Sequence, residues 1–291
     1  MTAQPSVTAS DIVRVRLAPR GVRHDLRAVK IVWQRDMIRF LRDRLRMVAS
    51  LLQPVLFLFV LGTGLSQVAS GMAAGVDLRT FMFPGVLAMA VLFTAIFSAG
   101  SIVWDREFGF MREMLVAPVS RSAIVVGKCL GGATVATVQG LVILCLAGLA
   151  GVPYSPTLLI TLVGELFLLA FALTAFGVVA AARIRNMQAF MALSQLLLMP
   201  LFFLSGALFP LSGLPSWLGL LTHINPLTYA VDPMRRAVFT HLDLGSGSQQ
   251  ALSAGVTWWG WQVPVALELG LVAVMGIAML AVAVAEFRHA E

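Results

Sequence analysis

Four groups of residues in this sequence could do chemistry. Gly127-Lys128-Cys129 has the ending of a phosphate-binding loop, and His223, Asp232 and His241 are acid-base candidates. Glu165 and Glu268 are carboxyls inside apolar runs, and the stretch from Trp104 to Lys128 carries seven charges between two apolar segments. The first group is not a nucleotide site, because a P-loop needs a Gly five residues before Gly127 and a Ser or Thr after Lys128. Gly62-Thr63-Gly64 likewise fails as a dinucleotide fingerprint, since the next required glycine is replaced by Gln67. His24, His223, His241 and His289 are scattered and form no metal-ligand cluster, and the spacing of His223, Asp232 and His241 matches no acid-base site. The intramembrane carboxyls and the charged stretch remain, and their meaning depends on the elements that carry them.

Of the 291 residues, 59% are hydrophobic and only 12% are charged, which is too apolar for a soluble domain. Six runs of roughly 20 residues can each cross a hydrocarbon core about 30 Å thick as a helix. They fall at about 47–67, 81–103, 122–150, 157–182, 187–210 and 262–286. The runs are continuous instead of alternating, which disfavours a β-barrel. The first 46 residues are basic, contain Pro5 and Pro19 and lack a continuous apolar core, so no signal peptide is expected. Eighteen Lys and Arg lie on one side of this topology and three, Arg79, Arg235 and Arg236, on the other. That bias places both termini in the cytoplasm and explains the net charge of +7 without nucleic acid. Cys129 and Cys145 share one expected helix at a separation of about 24 Å, too far to form a disulfide. Glu165 and Glu268 then lie towards the outer ends of spans four and six. A carboxylate there points to a substrate pathway, to a proton-responsive role or to packing with its charge relieved.

Residues 1–21 have no clear period and are expected to be flexible. From Val22 to Arg46, Leu26, Val29, Trp33, Met37 and Phe40 recur at helical spacing among basic residues, the pattern of an amphipathic helix at the cytoplasmic lipid interface. Pro54 and Pro84 should kink spans one and two. In span three, Gly127 and Gly131, then Gly132, Ala136 and Gly140, form small-residue ridges suited to close helix packing, within the chain or between subunits. Residues 211–245 are too apolar for an aqueous loop, and short helices near Leu214–Leu221 and Leu227–Phe239 are expected to lie in or re-enter the outer interface. Trp217, Trp258, Trp259 and Trp261 fit an aromatic belt there.

Within the charged stretch, Trp104, Phe108, Met111 and Leu115 lie on one helical stripe, so an amphipathic helix over 104–118 is expected, stopped by Pro118. Its other face carries Asp105, Arg106, Arg112 and Glu113, and its three acids favour a protein over lipid as the docking surface.

These residues bring a family into view. Trp104-Asp-Arg-Glu-Phe-Gly109, Arg112-Glu113-Met-Leu115-Val-Ala-Pro118-Val-Ser-Arg121 and Gly127-Lys128 resemble the cytoplasmic signature of type-2 ATP-binding-cassette permeases, which include daunorubicin-resistance and polysaccharide-export membrane subunits. Asn225-Pro-Leu-Thr-Tyr-Ala-Val-Asp-Pro-Met-Arg-Arg-Ala-Val238 resembles the family's segment before the last span. The resemblance runs from about residue 22 to the end. It implies a permease without its own ATPase that pairs with a second copy or a related subunit and sits on two copies of a separate ABC-type ATPase, which would hold the ATP and Mg. It also implies that the segment after span two is a coupling helix, with Glu107, Gly109, Arg112, Glu113 and Leu115 in contact. A second contact between spans four and five matches only in position and basic character, at Arg183, Arg185 and Asn186.

The expectation is therefore an all-α polytopic membrane protein of six spans over residues 47–286, with an N-terminal amphipathic interface helix, a cytoplasmic coupling helix, re-entrant outer helices before the last span and a short cytoplasmic tail at 287–291. It would be the membrane subunit of an ATP-driven exporter in a bacterial plasma (inner) membrane, moving a drug, lipid or lipid-linked glycan. No catalytic residue, cofactor, metal or nucleic acid is expected on this chain, and membrane lipids are expected around it. The alternative is an ion-coupled secondary transporter using Glu165, although no internal repeat supports paired halves.

Overall fold

The computed structural model describes residues 21–64, 77–109, 119–209, 215–242, 255–258 and 260–289. Helix α1 spans Val22–Arg42. Helix α2 begins at Arg44–Leu56 and passes through a π-helical turn, Phe57–Leu61, to Gly62–Gly64. Pro54 has no N–H to give to the preceding turn, and the helix widens three residues later. Helix α3, Leu78–Ala99, bends at Gly100 into α4, Ser101–Glu107. Then follow α5 (Arg121–Leu144), a 3-10 turn (Ala147–Ala150), α6 (Pro156–Arg183), α7 (Met187–Phe203), α8 (Ser216–Ile224) and α9 (Thr228–Thr240). A two-residue hairpin, β1 (Thr257–Trp258) with β2 (Trp261–Gln262), leads into α10 (Val265–His289).

Among the described residues, five helical stretches are long and apolar enough to cross a membrane: Met47–Gly64, Leu78–Glu107, Arg121–Leu144, Pro156–Arg183 and Val265–Arg288. The protein is a multi-pass, all-α membrane protein. The fifth expected span is shorter than its sequence run: α7 ends at Phe203, three residues after Pro200, where the chain turns instead of continuing to 210. Short helices stand at Ser216–Ile224 and Thr228–Thr240, in the segment expected to re-enter the outer interface.

Helices α3, α5 and α6 pack on one another, α10 lies along α6, and α2 leans on α3. Small residues set these approaches. A Cβ on Gly132 would meet Thr174 Cγ2 at 2.5 Å, and one on Gly140 would meet Val91 Cγ2 at 3.1 Å. The Gly127 and Gly131 ridge is also used within the chain, against Val32 and Asp36 of α1.

Helix α1 follows a register its sequence did not suggest. Asp25 accepts from the Ser120 N–H, Val32 faces Gly127 and Asp36 faces Gly131, a constant offset of 95 residues. It therefore runs parallel to the first turns of α5, with Ala28, Val32 and Asp36 buried and Leu26 exposed. The buried stripe is rotated from the expected one because Asp36 finds a cation inside.

Candidate functional site

One end of the bundle collects the ends of five helices. Arg121 donates through Nη1 to the carbonyls of Phe287 and Arg288, each at 3.1 Å, joining the start of α5 to the end of α10. Arg106 donates to the Ile184 carbonyl at 2.7 Å, and Arg183 pairs with Glu286. Helix α3 with α4 is 30 residues long, roughly 45 Å at the helical rise, so it outruns a hydrocarbon core of about 30 Å. The charges at 105–107 place the surplus at this end.

A buried ion network lies here. Lys128 Nζ is 2.9 Å from Asp105 Oδ2, 3.2 Å from Asp36 Oδ1 and 2.9 Å from Ser101 Oγ. Arg35 Nη2 donates to Asp105 Oδ2 at 2.7 Å, and Arg39 stands 3.9 Å from Asp105 Oδ1. Two carboxylates thus meet one buried ammonium and two guanidiniums that reach in from the surface. The pairing satisfies charges that would be costly alone, and it ties α1, α4 and α5 into one unit.

This corrects the expected docking face. Asp105 is buried, and Arg106 is turned to backbone carbonyls of α6 and the turn after it, while Trp104 and Phe108 are exposed with their rings 5.0 Å apart. Nor is there one helix over 104–118: α4 ends at Glu107, and Gly109 takes φ of +83°, a left-handed turn that suits glycine. Glu107 is exposed, but its carboxylate accepts the Met187 N–H at 3.0 Å and caps α7 beside the N-cap Asn186, whose Oδ1 accepts from Ala189. Arg185 is exposed, and Arg183 holds Glu286. Arg112, Glu113 and Leu115 lie outside the described residues.

Beside the network, a cavity of about 530 Å³ opens between α1, α2, α3 and α4. Asp36, Arg39 and Asp43 line one part, and Pro54, Phe93 and Phe97 another.

At the opposite end, Glu165 on α6, Glu268 on α10 and Asp232 on α9 are all buried. Arg236 Nη2 donates to Asp232 at 2.5 Å and lies 3.4 Å from Glu268 Oε1, while its Nη1 donates to the Val263 carbonyl at 3.0 Å. Asp232 also accepts from the Val256 N–H at 3.2 Å. Arg235 donates to the Gly206 carbonyl and lies over Phe81, 4.3 Å from the ring centroid. Of the two sequence-selected carboxyls, Glu268 thus shares a neighbourhood with Asp232 and Arg236.

Sequence reasoning missed both constellations as constellations. The available signals were Asp36 inside an apolar stripe, Lys128 inside an apolar helix and the Asp232-Arg236 pair at i, i+4.

Residues 27–239 match the family model described as ABC-2 type transporter. Over 209 residues the chain is 31% identical to a protein named as the transport permease ycf38 of Cyanophora paradoxa, covering 70% of this chain and 72% of that one. It is 30% identical over 208 residues to Nodulation protein J of Rhizobium meliloti, covering 70% and 78% of the two chains. Nodulation protein J of Rhizobium leguminosarum bv. viciae is 29% identical over 207 residues, with 70% and 79% covered.

Proposed function

The chain belongs to the ABC-2 type transporter family, and from that premise we propose that it is the membrane-spanning permease of an ATP-driven exporter whose hydrolysis takes place on a separate ATPase subunit. The observation that carries this reading is the way the segment after α4 is anchored. On its near side Asp105, Arg106 and Glu107 bind Lys128, the carbonyls of Ala181 and Ile184, and the Met187 N–H; on its far side the Ser120 N–H is held by Asp25. A push on residues 108–119 would therefore reach α1, α4, α5 and α7 together, which is what a coupling segment must do. In this reading Glu107 and Gly109 set the segment's starting geometry, and Arg112, Glu113 and Leu115 touch the ATPase. Arg183 and Arg185 form the rim of the second contact.

The excess of Lys and Arg at this end supports a cytoplasmic side for it and for both termini, and in this reading the membrane is a bacterial plasma membrane. Two copies of the permease, or this chain and a related one, would sit on two ATPases. The cargo is a lipophilic or amphipathic molecule: the 530 Å³ cavity has a charged part and an aromatic part, a lining that suits a polar head with an apolar body.

The test is purification of the tagged chain from its native membranes, followed by vanadate-sensitive ATP hydrolysis with and without Glu113→Lys. A Walker-motif subunit should accompany the chain, and the exchange should abolish its retention or its stimulated activity while leaving membrane insertion unchanged. A chain that runs alone, or a Glu113→Lys complex as active as the parent, would overturn the coupling assignment.

A further inference from the structure

Helix α7 carries an exposed row of side chains that is not uniformly apolar. Its buried row is narrow: Phe190, Ser194, Leu198 and Phe202, four residues apart, are buried where the helix packs on α3 and α4. A second row, Gln188, Ala192, Gln195, Met199 and Phe203, follows at i, i+4, i+7, i+11 and i+15 and is exposed along the whole helix. Met199 and Phe203 suit lipid, and the Gln195 amide does not. It stands nine residues, roughly 14 Å, from the N-cap Asn186, near the middle of a hydrocarbon core about 30 Å thick. An amide at that depth costs free energy unless it is hydrogen-bonded, and Gln195 has no partner among the described residues. The amides of Gln139 and Gln53 are accounted for. Gln139 is buried and donates to Ser50 Oγ at 2.9 Å, and Gln53 lines the cavity of about 530 Å³, to which α7 gives only Met187.

We propose that this row of α7 is the contact with a second copy of the chain, α7 against α7, in which the two Gln195 amides hydrogen-bond to each other. Copies that share one topology pair in a membrane about a two-fold axis along its normal. Their α7 helices then run parallel, and each residue of the row meets its own counterpart. A carboxamide is suited to meeting itself, because it carries both donors and an acceptor, so two of them across a two-fold axis complete each other. A lipid tail offers neither group. The four- and three-residue steps from Gln188 to Met199 are those of a parallel two-helix seam, with Gln188 and Gln195 one heptad apart. Small Ala192 between them lets the two backbones approach. The contact rests on the reading that two permease chains pair, and it selects a second copy over a related chain.

Cysteine cross-linking in native membranes tests it. In the full-length chain with Cys129→Ala and Cys145→Ala, Gln195→Cys and Met199→Cys should each form a disulfide-linked dimer on mild oxidation. Ile277→Cys, exposed on α10, should stay monomeric. Gln195→Met keeps the length of the side chain and removes its polar end, and it should weaken self-association in mild detergent about 3- to 30-fold. An inserted Gln195→Cys chain that stays monomeric overturns the contact, and Met199→Cys decides in the same way if Gln195→Cys does not insert. A Gln195→Met chain that associates as strongly as the parent also overturns it. Retention of an ATPase, read on the same membranes, separates this contact from the exporter reading. An ATPase retained without the disulfide sinks the contact alone, whereas the disulfide without an ATPase supports the contact and sinks the exporter reading.

Discussion

The two ends of the bundle both bury charge, but they do so on opposite principles. At the basic end, Asp36 and Asp105 are matched by Lys128 and by Arg35, and the helices that carry them approach closely: a Cβ on Gly127 would meet Val32 Cβ at 2.9 Å, and one on Gly131 would meet Asp36 Cβ at 3.1 Å. At the other end, carboxyl oxygens of Glu165 and Glu268 go unpartnered, although the packing is just as close: a Cβ on Gly255 would meet Asp232 Oδ2 at 2.4 Å. A matched, tightly packed network is an anchor, because moving any member strands a charge. An unmatched cluster, however closely packed, has fewer ion pairs to lose. The chain therefore holds its interface helix fast to the segment after α4.

The largest expected effect breaks the anchor. Lys128→Met leaves Asp36 and Asp105 buried with only surface guanidiniums in reach, and it should cost about 3–5 kcal/mol. Thermal unfolding of the purified chain should show the drop, and protease should cut within α1 well before the parent is cut there. Adding Asp36→Leu removes one stranded carboxylate and should restore part of the loss, since Asp105 keeps Arg35 at 2.7 Å. Equal melting of Lys128→Met and parent would mean that the network does not hold α1.

Arg236→Met makes the corresponding cut at the other end, and the comparison predicts a smaller loss, about 1–3 kcal/mol. Its carboxyls can respond by taking up protons, which a matched pair has no need to do. The sign follows from that response. Removing the cation leaves the carboxyl charge it faced uncompensated, and protonation relieves that charge, so the deficit relative to the parent should shrink as pH falls and grow as pH rises. Melting curves of the two proteins across pH would read it directly, and a deficit independent of pH would place both ends on the same footing.

Much of this architecture could be read from the sequence, because it is decided chiefly by the hydrophobicity of long helical runs, and hydrophobicity is a local property of the chain. The short helices over Ser216–Ile224 and Thr228–Thr240 could be read for the same reason, from apolar runs punctuated by Pro226 and Pro233. Pairing is not local. Asp105 read as the polar face of a docking helix because Trp104 and Phe108 formed an apolar stripe on the other face, yet a cation 23 residues later on another helix draws it in and leaves the aromatics exposed. The same blindness hid Asp36 in α1. The 104–118 helix failed at Gly109, where a left-handed turn overrode a favourable period. Glu165 and Glu268 could each be flagged as expensive, but the place of Glu268 beside Arg236 depends on the packing of α9 against α10.

The smallest effect sharpens the comparison most. Gly164 precedes Glu165 and Gly270 follows Glu268 by two residues, both on exposed helix surface with no heavy atom near a built Cβ. Alanine at either site should stabilise by no more than about 1 kcal/mol, through its better helix propensity. Lipid accepts an added methyl, so a neutral or stabilising result means that these two surfaces face lipid in the working protein. A second copy of the chain seated on this face would not accept it so easily. In that case Gly164→Ala and Gly270→Ala would lower the melting temperature and shift the purified protein towards smaller species, and this face would be an interface between copies of the chain.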